Sequence, residues 1–255
     1  MIEKNGIVES VEEIQADIFI LKVRSPQIAV EAKPGQFCNI KVSDSTFPLL
    51  RRPFSICDVE GEVVSFQFNI VGEGTKILSQ KQNGDILNII GPLGVGFDFS
   101  GDFENVLIIA GGIGAAPFPF LIKNISDEKN IISFVGGRSK KDIIEYKLKN
   151  IITSTDDGSE GFHGNVVQLL DSEIDKYDSA NTKIFACGPN PMLRALSEYT
   201  IESGFDCEIS TESVMACGFG ICQGCNVEGT HSDRFLLVCK DGPVFNAEDV
   251  KLWTM

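Results

Sequence analysis

The fold of this chain is decided by residues 105–117, which read NVLIIAGGIGAAP. The apolar run 106–110 predicts a buried strand, and the glycines after it predict a tight turn into a helix at 115–123. Residues 105–122 carry no charge, but their three glycines and two prolines favour this strand–loop–helix unit over a membrane span. Such a unit is the building block of a parallel α/β sheet.

Downstream of this unit, strands and helices alternate. The predicted strands cover 131–136, 151–155, 183–187 and 206–210, and the predicted helices cover 140–149, 165–170 and 191–203. Pro191 is well placed in the first turn of the last helix, with Asn190 as its cap. The alternation predicts a Rossmann-like, parallel α/β nucleotide domain over residues 101–210.

Upstream of residue 100, short β-branched runs are separated by turn residues. The predicted strands cover 18–23, 36–42, 54–57, 63–71 and 85–90, with one helix at 75–82. Short strands at this spacing predict a small antiparallel β-barrel over residues 1–100.

Half of the eight cysteines lie in the last segment, residues 211–255. They are Cys217, Cys222, Cys225 and Cys239, and their C-x₄-C-x₂-C…C spacing is typical of plant-type [2Fe–2S] proteins. The glycines between them permit positive φ and leave backbone N–H groups free to donate to sulfur. A structural zinc site is the alternative, although it usually shows two C-x-x-C pairs. We expect a small C-terminal [2Fe–2S] domain that owes its order to the metal.

Two loops of the α/β domain are candidates for binding NAD. The first contains Gly111, Gly112 and Gly114, and the second contains Cys187, Gly188 and Pro189. Each follows a predicted strand and opens a helix, and ligands of open α/β sheets bind at the carboxyl ends of strands. Arg138 and Lys140 follow the next strand, where they could contact the 2′-phosphate of NADP or simply begin an exposed helix.

The barrel carries a pattern that suits a flavin. Arg51 to Ser55 place arginine beside a hydroxyl group, and Gly72 to Thr75 begin the predicted helix. Nicotinamide exchanges a hydride, which carries two electrons, whereas an iron–sulfur cluster accepts one. A flavin can exchange both, so the chemistry calls for a flavin between them.

Together these motifs resemble the ferredoxin–NADP reductase superfamily. The resemblance rests on R-P-x-S in the barrel, the G-G-I-G-A-A-P loop and the C-G-P-x-P-M loop. The M-A-C-G-x-G-x-C-x-G-C and V-C-K-D-G-P-V-F segments resemble one branch, the electron-transfer subunits of NAD-dependent dihydroorotate dehydrogenase B. This implies bound FAD and [2Fe–2S], with NAD as co-substrate. It also implies a partner catalytic subunit that contains FMN and oxidises dihydroorotate for pyrimidine biosynthesis, in a heterotetramer of two plus two subunits. Electrons would then pass from FMN through the cluster and FAD to NAD.

The resemblance also assigns residues. It implies FAD contacts from Arg52, Pro53, Phe54, Ser55, Gln67, Phe68, Asn69, Gly74 and Thr75, and cluster ligands at Cys217, Cys222, Cys225 and Cys239. Asn69 departs from the basic residue that relatives often carry there. No residue of this chain is implied to oxidise an organic substrate. Glu212 is placed either near the flavin ring or at the cap of a turn.

Charge and chain start limit the other functions. The chain carries 22 Lys and Arg against 36 Asp and Glu, a net charge of −14, so nucleic acid is not an expected partner. The first residues lack the features of a signal peptide, so we expect a cytoplasmic protein. A short electron path also requires the partner subunit near the cluster, which makes 219–223 and 244–253 candidate interface segments.

Two other functions remain open. One is the small subunit of an NAD-dependent ferredoxin:NADP or sulfide-type oxidoreductase, although such relatives often replace one cluster cysteine with a carboxylate. The other is a redox sensor or binding module that uses its cluster structurally. That function predicts no reduction by NADH.

Overall fold

The first part of the chain forms a closed antiparallel barrel. A computed structural model describes residues 2–230 and 235–252, with only the backbone for 2–4. The barrel strands are β1 (Ile2–Gln15), β2 (Ile18–Arg24), β3 (Phe37–Lys41), β4 (Arg52–Glu60), β5 (Val63–Asn69) and β6 (Ile86–Leu93). They close in the order β1-β2-β5-β4-β3-β6. The predicted barrel is confirmed, although β1 was not predicted.

Alternating side chains fill the barrel interior. Because successive side chains of a strand point to opposite faces, one side of each strand supplies the core. Leu21, Ile40 and Phe66 are fully buried there. Two short helices, α1 (Pro26–Glu31) and α2 (Glu73–Ser79), add Ile28 and Leu78 to the same core.

The second part is a parallel sheet with helices. Its parallel strands are β7 (Asn105–Gly111), β8 (Asn130–Gly137), β9 (Ile151–Thr155), β10 (Phe162–His163), β11 (Thr182–Cys187) and β12 (Asp206–Ser210). The helices are α3 (Phe118–Asn124), α4 (Val166–Glu173) and α5 (Asn190–Ser203). The strand order β10-β9-β8-β7-β11-β12 places β7 and β11 at the centre, where both are buried almost throughout. The predicted Rossmann-like domain is confirmed.

The helix predicted over 140–149 is wrong. The structure has a single 3₁₀ turn at Lys140–Asp142, and Asp142 accepts hydrogen bonds from the backbone N–H and the hydroxyl of Ser139, both at 3.0 Å. Lys147 and Asn150 have φ values of 53° and 46°, which a right-handed helix does not allow. Tertiary contacts of this segment, described below, replace the helix.

The last segment is more regular than its glycine-rich sequence indicates. It contains β13 (Asn226–Gly229), β14 (Phe235–Leu237), β15 (Val244–Asn246) and β16 (Val250–Lys251). β13, β14 and β16 form a three-stranded sheet, whereas β15 pairs antiparallel with β12 at the edge of the large sheet. Within the described ranges, none of the helices is both long and apolar enough to cross a membrane.

Candidate functional site

The residues predicted to hold FAD lie together on the barrel. One cleft is lined by Arg52, Pro53, Phe54, Ser55, Gln67, Phe68, Asn69 and Thr75. Gly74 adjoins it, because a Cβ atom at this position would lie 3.1 Å from Nε of Arg52. Thr75 folds the loop before α2, since its hydroxyl oxygen accepts from the N–H groups of Val71 and Gly72 at 3.0 and 3.3 Å. The structure therefore brings β4, β5 and the start of α2 around one site.

This cleft fits a flavin on chemical grounds. The Gln67 amide nitrogen is buried and has no hydrogen-bond partner among the described residues. An unpaired buried amide costs about 1–3 kcal/mol, so the cleft suits a ligand with hydrogen-bond acceptors. Phe68 is packed between Phe54 and Phe19, with ring centroids 5.7 and 5.6 Å away, which supplies apolar surface beside that amide. An aromatic ring edged with carbonyl oxygens, such as that of FAD, meets both requirements.

A second cleft lies at the carboxyl ends of β7, β8 and β11. It has a volume of about 470 Å³, in the range of small-molecule sites. Its lining includes Gly111, Gly112, Gly114, Gly188 and Pro189, all predicted to contact NAD. Cys187 instead lines the flavin cleft, where burial raises the pKa of its thiol. The two predicted loops therefore share one cleft, with Cys187 on its flavin side.

Glycine is needed in these loops because their backbones touch. A Cβ atom at Gly114 would lie 2.3 Å from the carbonyl oxygen of Cys187 and 2.7 Å from Cα of Gly188. A Cβ atom at Gly111 would lie 2.6 Å from Sδ of Met192. Any larger residue at Gly114 would therefore push the β7 loop away from the β11 loop.

Sequence reasoning missed several residues of the second cleft, which is called the nicotinamide cleft below because it contains the loops predicted to bind NAD. They are Gly136, Gly137, Asp142, Asp156, Asn165, Val166 and Met192. Most of them follow β8 or β9 or begin α4, so the rule that ligands bind at the carboxyl ends of parallel strands could have found them. Of the basic pair considered for NADP, Arg138 lines the cleft, whereas Lys140 is 2.9 Å from Glu160 in an ion pair. Asp142 and Asp156 line the same cleft as Arg138. Because like charges repel, these two carboxylates favour a ribose without a 2′-phosphate.

The two clefts meet at Asn69, Ile113 and Glu212, which line both. Glu212 also lines a smaller cleft that reaches Met215, just before the loop of residues 217–225, which is called the cysteine loop below. Glu212 is an exposed residue at the mouth of these clefts, and the surrounding protein raises its pKa by partly desolvating the carboxylate. A carboxyl group with a raised pKa thus lies where the nicotinamide and flavin clefts join.

The four predicted cluster cysteines form two pairs. The backbone N–H of Cys222 donates to Sγ of Cys217, and the backbone N–H of Cys239 donates to Sγ of Cys225, both at 3.4 Å. Gly220 N–H donates to Sγ of Cys239 at 3.1 Å, which the positive φ of Gly220, 88°, makes possible. These sulfurs therefore lie around a loop whose backbone points donors at them.

Backbone donors separate the acidities of these thiols. Burial acts to raise the pKa of Cys217, but N–H groups of Cys222 and Phe219, 3.4 and 3.5 Å from its sulfur, outweigh it and lower the pKa to about 6. Burial and the neighbouring Cys225 thiol raise the pKa of Cys239 to about 12. N–H donation to sulfur is also what tunes an iron–sulfur centre.

The pairing fits a binuclear cluster. A [2Fe–2S] cluster takes two thiolates on each iron, whereas a zinc ion takes all its ligands at one point. Within residues 2–230 and 235–252, no three His, Cys, Asp or Glu side chains converge closely enough to hold a single metal ion. Cys225 and Cys239 are buried, whereas Cys222 is exposed beside Ile221, which is 76 % exposed. One corner of the cysteine loop therefore faces the surface.

The cysteine loop lies directly against the flavin-binding barrel. The buried Asn39 on β3 donates from Nδ2 to the carbonyl oxygen of Cys217 at 3.2 Å. A Cβ atom at Gly218 would lie 2.6 Å from that same nitrogen. Asn39 is also paired with Pro53 of β4, a residue of the flavin cleft. The cysteine loop and the flavin cleft thus share one pair of strands.

Comparisons with known proteins agree with this arrangement. Residues 212–251 match the family model described as the iron–sulfur cluster binding domain of dihydroorotate dehydrogenase B. The chain is 40 % identical over 221 residues to the dihydroorotate dehydrogenase B (NAD(+)) electron transfer subunit of Caldanaerobacter subterraneus subsp. tengcongensis, covering 85 % of this chain and 86 % of that protein. It is 34 % identical to the subunit of the same name from Fusobacterium nucleatum, covering 96 % and 97 %.

Solved structures show the same fold. An NADH-dependent reduced ferredoxin-NADP oxidoreductase superposes with a TM-score of 0.84 at 28 % identity, covering 97 % of this chain and 90 % of that one. A ferredoxin NADP⁺ reductase from Neisseria gonorrhoeae with bound FAD and NADP superposes with a TM-score of 0.66 at 14 % identity, covering 79 % and 92 %. The resemblance indicated by the motifs is confirmed along nearly the whole chain.

Proposed function

Because this chain belongs to the family of dihydroorotate dehydrogenase B electron transfer subunits, we propose that it carries electrons from a partner catalytic subunit to NAD through a [2Fe–2S] cluster and FAD. The partner holds FMN and oxidises dihydroorotate to orotate, a step of pyrimidine biosynthesis. The chain itself oxidises no organic substrate. It acts as the oxidoreductase subunit that delivers those electrons to NAD.

The contact between the cysteine loop and the flavin cleft carries this proposal. Asn39 on β3 donates to the backbone of Cys217. Its cross-strand partner on β4, Pro53, lines the flavin cleft. This contact supports a one-electron centre and a two-electron centre that lie side by side. A structural cluster in a redox sensor would need no such neighbour.

Bound FAD would supply the exchange between single electrons on the cluster side and a hydride on the NAD side. The chain positions both reactants. Asn69 and Ile113 line both clefts, so a nicotinamide ring in one can lie against a ring in the other. The unpaired amide of Gln67 can donate to the edge of the flavin ring. Arg52 donates to the carbonyl oxygen of Leu50 at 2.7 Å and retains other guanidinium N–H groups that can bind the phosphate of FAD.

Proton balance assigns a role to Glu212. A hydride leaving for NAD consists of two electrons and one proton, whereas electrons arriving through the cluster bring no proton. The balance therefore requires a proton donor where the clefts join. Glu212 lies there with a raised pKa, whereas burial keeps Cys187 in its thiol form. We assign Glu212 the role of holding this proton.

The proposed assembly is a cytoplasmic heterotetramer with two copies of each subunit. The support for it is the resemblance of the motifs and the name shared by the relatives, which describes a subunit of a larger enzyme. Native mass spectrometry of the co-expressed chains should give the mass of two plus two subunits. A mass for one plus one would leave the electron route unchanged and correct the stoichiometry.

The experiment that tests the function is anaerobic. The chain is co-expressed with an FMN-containing dihydroorotate dehydrogenase catalytic subunit, and dihydroorotate-dependent NAD reduction is measured with each chain alone and with both. We expect NAD reduction only with both chains present. If NADH reduces the isolated chain but no dihydroorotate-dependent NAD reduction occurs, the function is that of another oxidoreductase subunit.

A second candidate is the small subunit of a ferredoxin:NADP-type oxidoreductase. The superposition on an NADH-dependent reduced ferredoxin-NADP oxidoreductase favours it. All four cysteines are present in this chain, and the match to dihydroorotate dehydrogenase B subunits is closer in sequence. NADPH-dependent reduction of a ferredoxin by the chain and its partner would distinguish this candidate from the first.

A further inference from the structure

Asp58 of β4 is a buried carboxylate between the barrel and the α/β domain. Its Oδ1 lies 3.1 Å from Nζ of Lys123 on α3, and its Oδ2 lies 2.7 Å from Nζ of Lys147 in the β8–β9 connection. The Asp58 side chain is only 3 % exposed, whereas both lysines are partly exposed. Lys147 also contacts Glu60 at 2.6 Å, and Lys123 donates to the carbonyl oxygen of Val59. One barrel carboxylate thus holds two segments of the other domain.

The two lysines outweigh the burial of Asp58 and lower its pKa, so the carboxylate stays charged between the two domains. Burying a carboxylate carries a large desolvation cost, and apolar replacements of buried ion pairs are often neutral or stabilising. Lys147 also has a φ of 53°, an unfavourable conformation for a lysine, and keeps it while contacting Asp58. Besides contributing to stability, the contacts hold these three side chains in one fixed geometry.

The three segments joined at Asp58 all lead to the clefts. On β4, Asp58 is three residues beyond Ser55 of the flavin cleft, or about 10 Å at 3.3 Å per residue. On α3, Lys123 is six residues beyond Pro117, which lines the same cleft, or about 9 Å at 1.5 Å per residue.

The β8–β9 connection completes this frame. It carries Asp142, which lines the nicotinamide cleft, as well as Lys147. The same frame is reinforced by Phe120 of α3, whose side chain is buried in the barrel core. Movement at the Asp58 end would therefore be transmitted to both clefts.

We infer that Asp58 is a positioning residue for hydride transfer, because its contacts with Lys123 and Lys147 fix the nicotinamide cleft against the flavin cleft. This inference rests on the proposed function. Hydride transfer needs the reacting atoms about 3–3.5 Å apart, and a misplacement of about 1 Å can cost about 100-fold in rate. The contact between the cysteine loop and β3 does not involve Asp58. Loss of Asp58 should therefore slow the NADH reaction and spare the reaction from the partner side.

The test uses Asp58→Asn in the complex with the catalytic subunit. Stopped-flow absorbance measures flavin reduction by saturating NADH in one experiment and by dihydroorotate in another. We expect a 10- to 100-fold slower NADH reaction, an unchanged dihydroorotate reaction and unchanged FAD and iron content. Hydrogen–deuterium exchange should increase in segments 118–124 and 143–150. Asp44→Asn is the matched control, because it removes an exposed ion pair with Lys41 within the barrel and should change none of these values.

The outcomes separate this inference from the function on which it depends. If NADH fails to reduce the wild-type flavin, the proposed function is wrong. If the wild type is reduced but Asp58→Asn matches it, or loses both reactions equally, the positioning role is wrong. Should Asp58→Asn fail to fold, Lys123→Met removes the contact with α3 from the partly exposed side while Lys147 still neutralises Asp58, and the same comparison decides.

Discussion

Replacement of Gly114 by alanine should separate the two loops of the nicotinamide cleft. The new Cβ would lie 2.3 Å from the carbonyl oxygen of Cys187, whereas ordinary contact needs about 3.5 Å, so the loops must move apart by roughly 1 Å. Both atoms belong to the backbone or are fixed to it, so no side chain can turn away. Such overpacking costs about 1–3 kcal/mol of folding free energy. A 1 Å displacement at the reacting centre costs about 100-fold in rate.

The assay for Gly114→Ala is stopped-flow reduction of the flavin by NADH, with FAD and iron contents and the unfolding temperature measured in parallel. We expect NADH reduction to fall about 100-fold while both cofactors remain bound. Gly204→Ala is the control: Gly204 has a φ of 72° at the end of α5 and open space around it. That change costs about 1–2 kcal/mol in backbone strain but should leave the NADH reaction intact. Wild-type NADH reduction in Gly114→Ala would refute the packing argument.

Three further changes test the remaining assignments. Cys225→Ser should abolish the iron content and the cluster absorbance while FAD stays bound. The control Cys207→Ala, which changes a buried cysteine of β12, should keep its full iron content. Iron retained in Cys225→Ser would overturn the ligand assignment. Glu212→Gln should slow dihydroorotate-dependent NAD reduction about 100-fold or more. In the wild type this rate should fall as the pH rises through the raised pKa of Glu212, and a pH profile unchanged by the substitution would exclude its role as proton donor. Ile221→Asp should weaken binding of the catalytic subunit at least tenfold in a pull-down titration while leaving FAD bound. The control Ile86→Asp, at an exposed position on the barrel, should leave that binding unchanged. Equal binding by both variants would mean that the interface lies elsewhere.

The strands that sequence patterns predicted are those with a local apolar signal. β7 and β11 are nearly continuous apolar runs because both of their faces are covered. β1 gave no comparable signal, since exposed acidic side chains such as Glu9, Glu12 and Glu13 interrupt its apolar pattern. Its pairing with both β2 and β6 makes it a strand, and that pairing depends on tertiary context.

The failed helix over 140–149 has a similar cause. Ile143 and Ile144 are buried in the core of the α/β domain, which resembled one face of an amphipathic helix. In the folded protein, Asp142 binds back to Ser139 and Lys147 reaches Asp58 on the barrel. These contacts fix the segment as a turn. Helix propensity depends only on the local sequence, so it could not predict them.

For the candidate site, local chemistry was predictable and distant contacts were not. The cysteine spacing and the glycine loops each lie within a short segment, so the sequence alone indicates their chemistry. The contact of Asn39 with Cys217 spans 178 residues, and that of Asp58 with Lys147 spans 89. Neither asparagine nor aspartate carries a local signal for such a partner. The ligand roles of the predicted residues remain predictions that the variants above test.

The pairing of β15 with β12 has a consequence for how the protein behaves before it receives iron. Unpaired N–H and C=O groups along a sheet edge are a template for association with other chains. β15 covers that edge of the large sheet, and it follows the last cysteine by only a few residues. If the segment that contains the four cluster cysteines is ordered by its metal, chains made in iron-starved cells should have an exposed β12 edge. Those chains should then aggregate. Solubility during expression would then report iron supply directly.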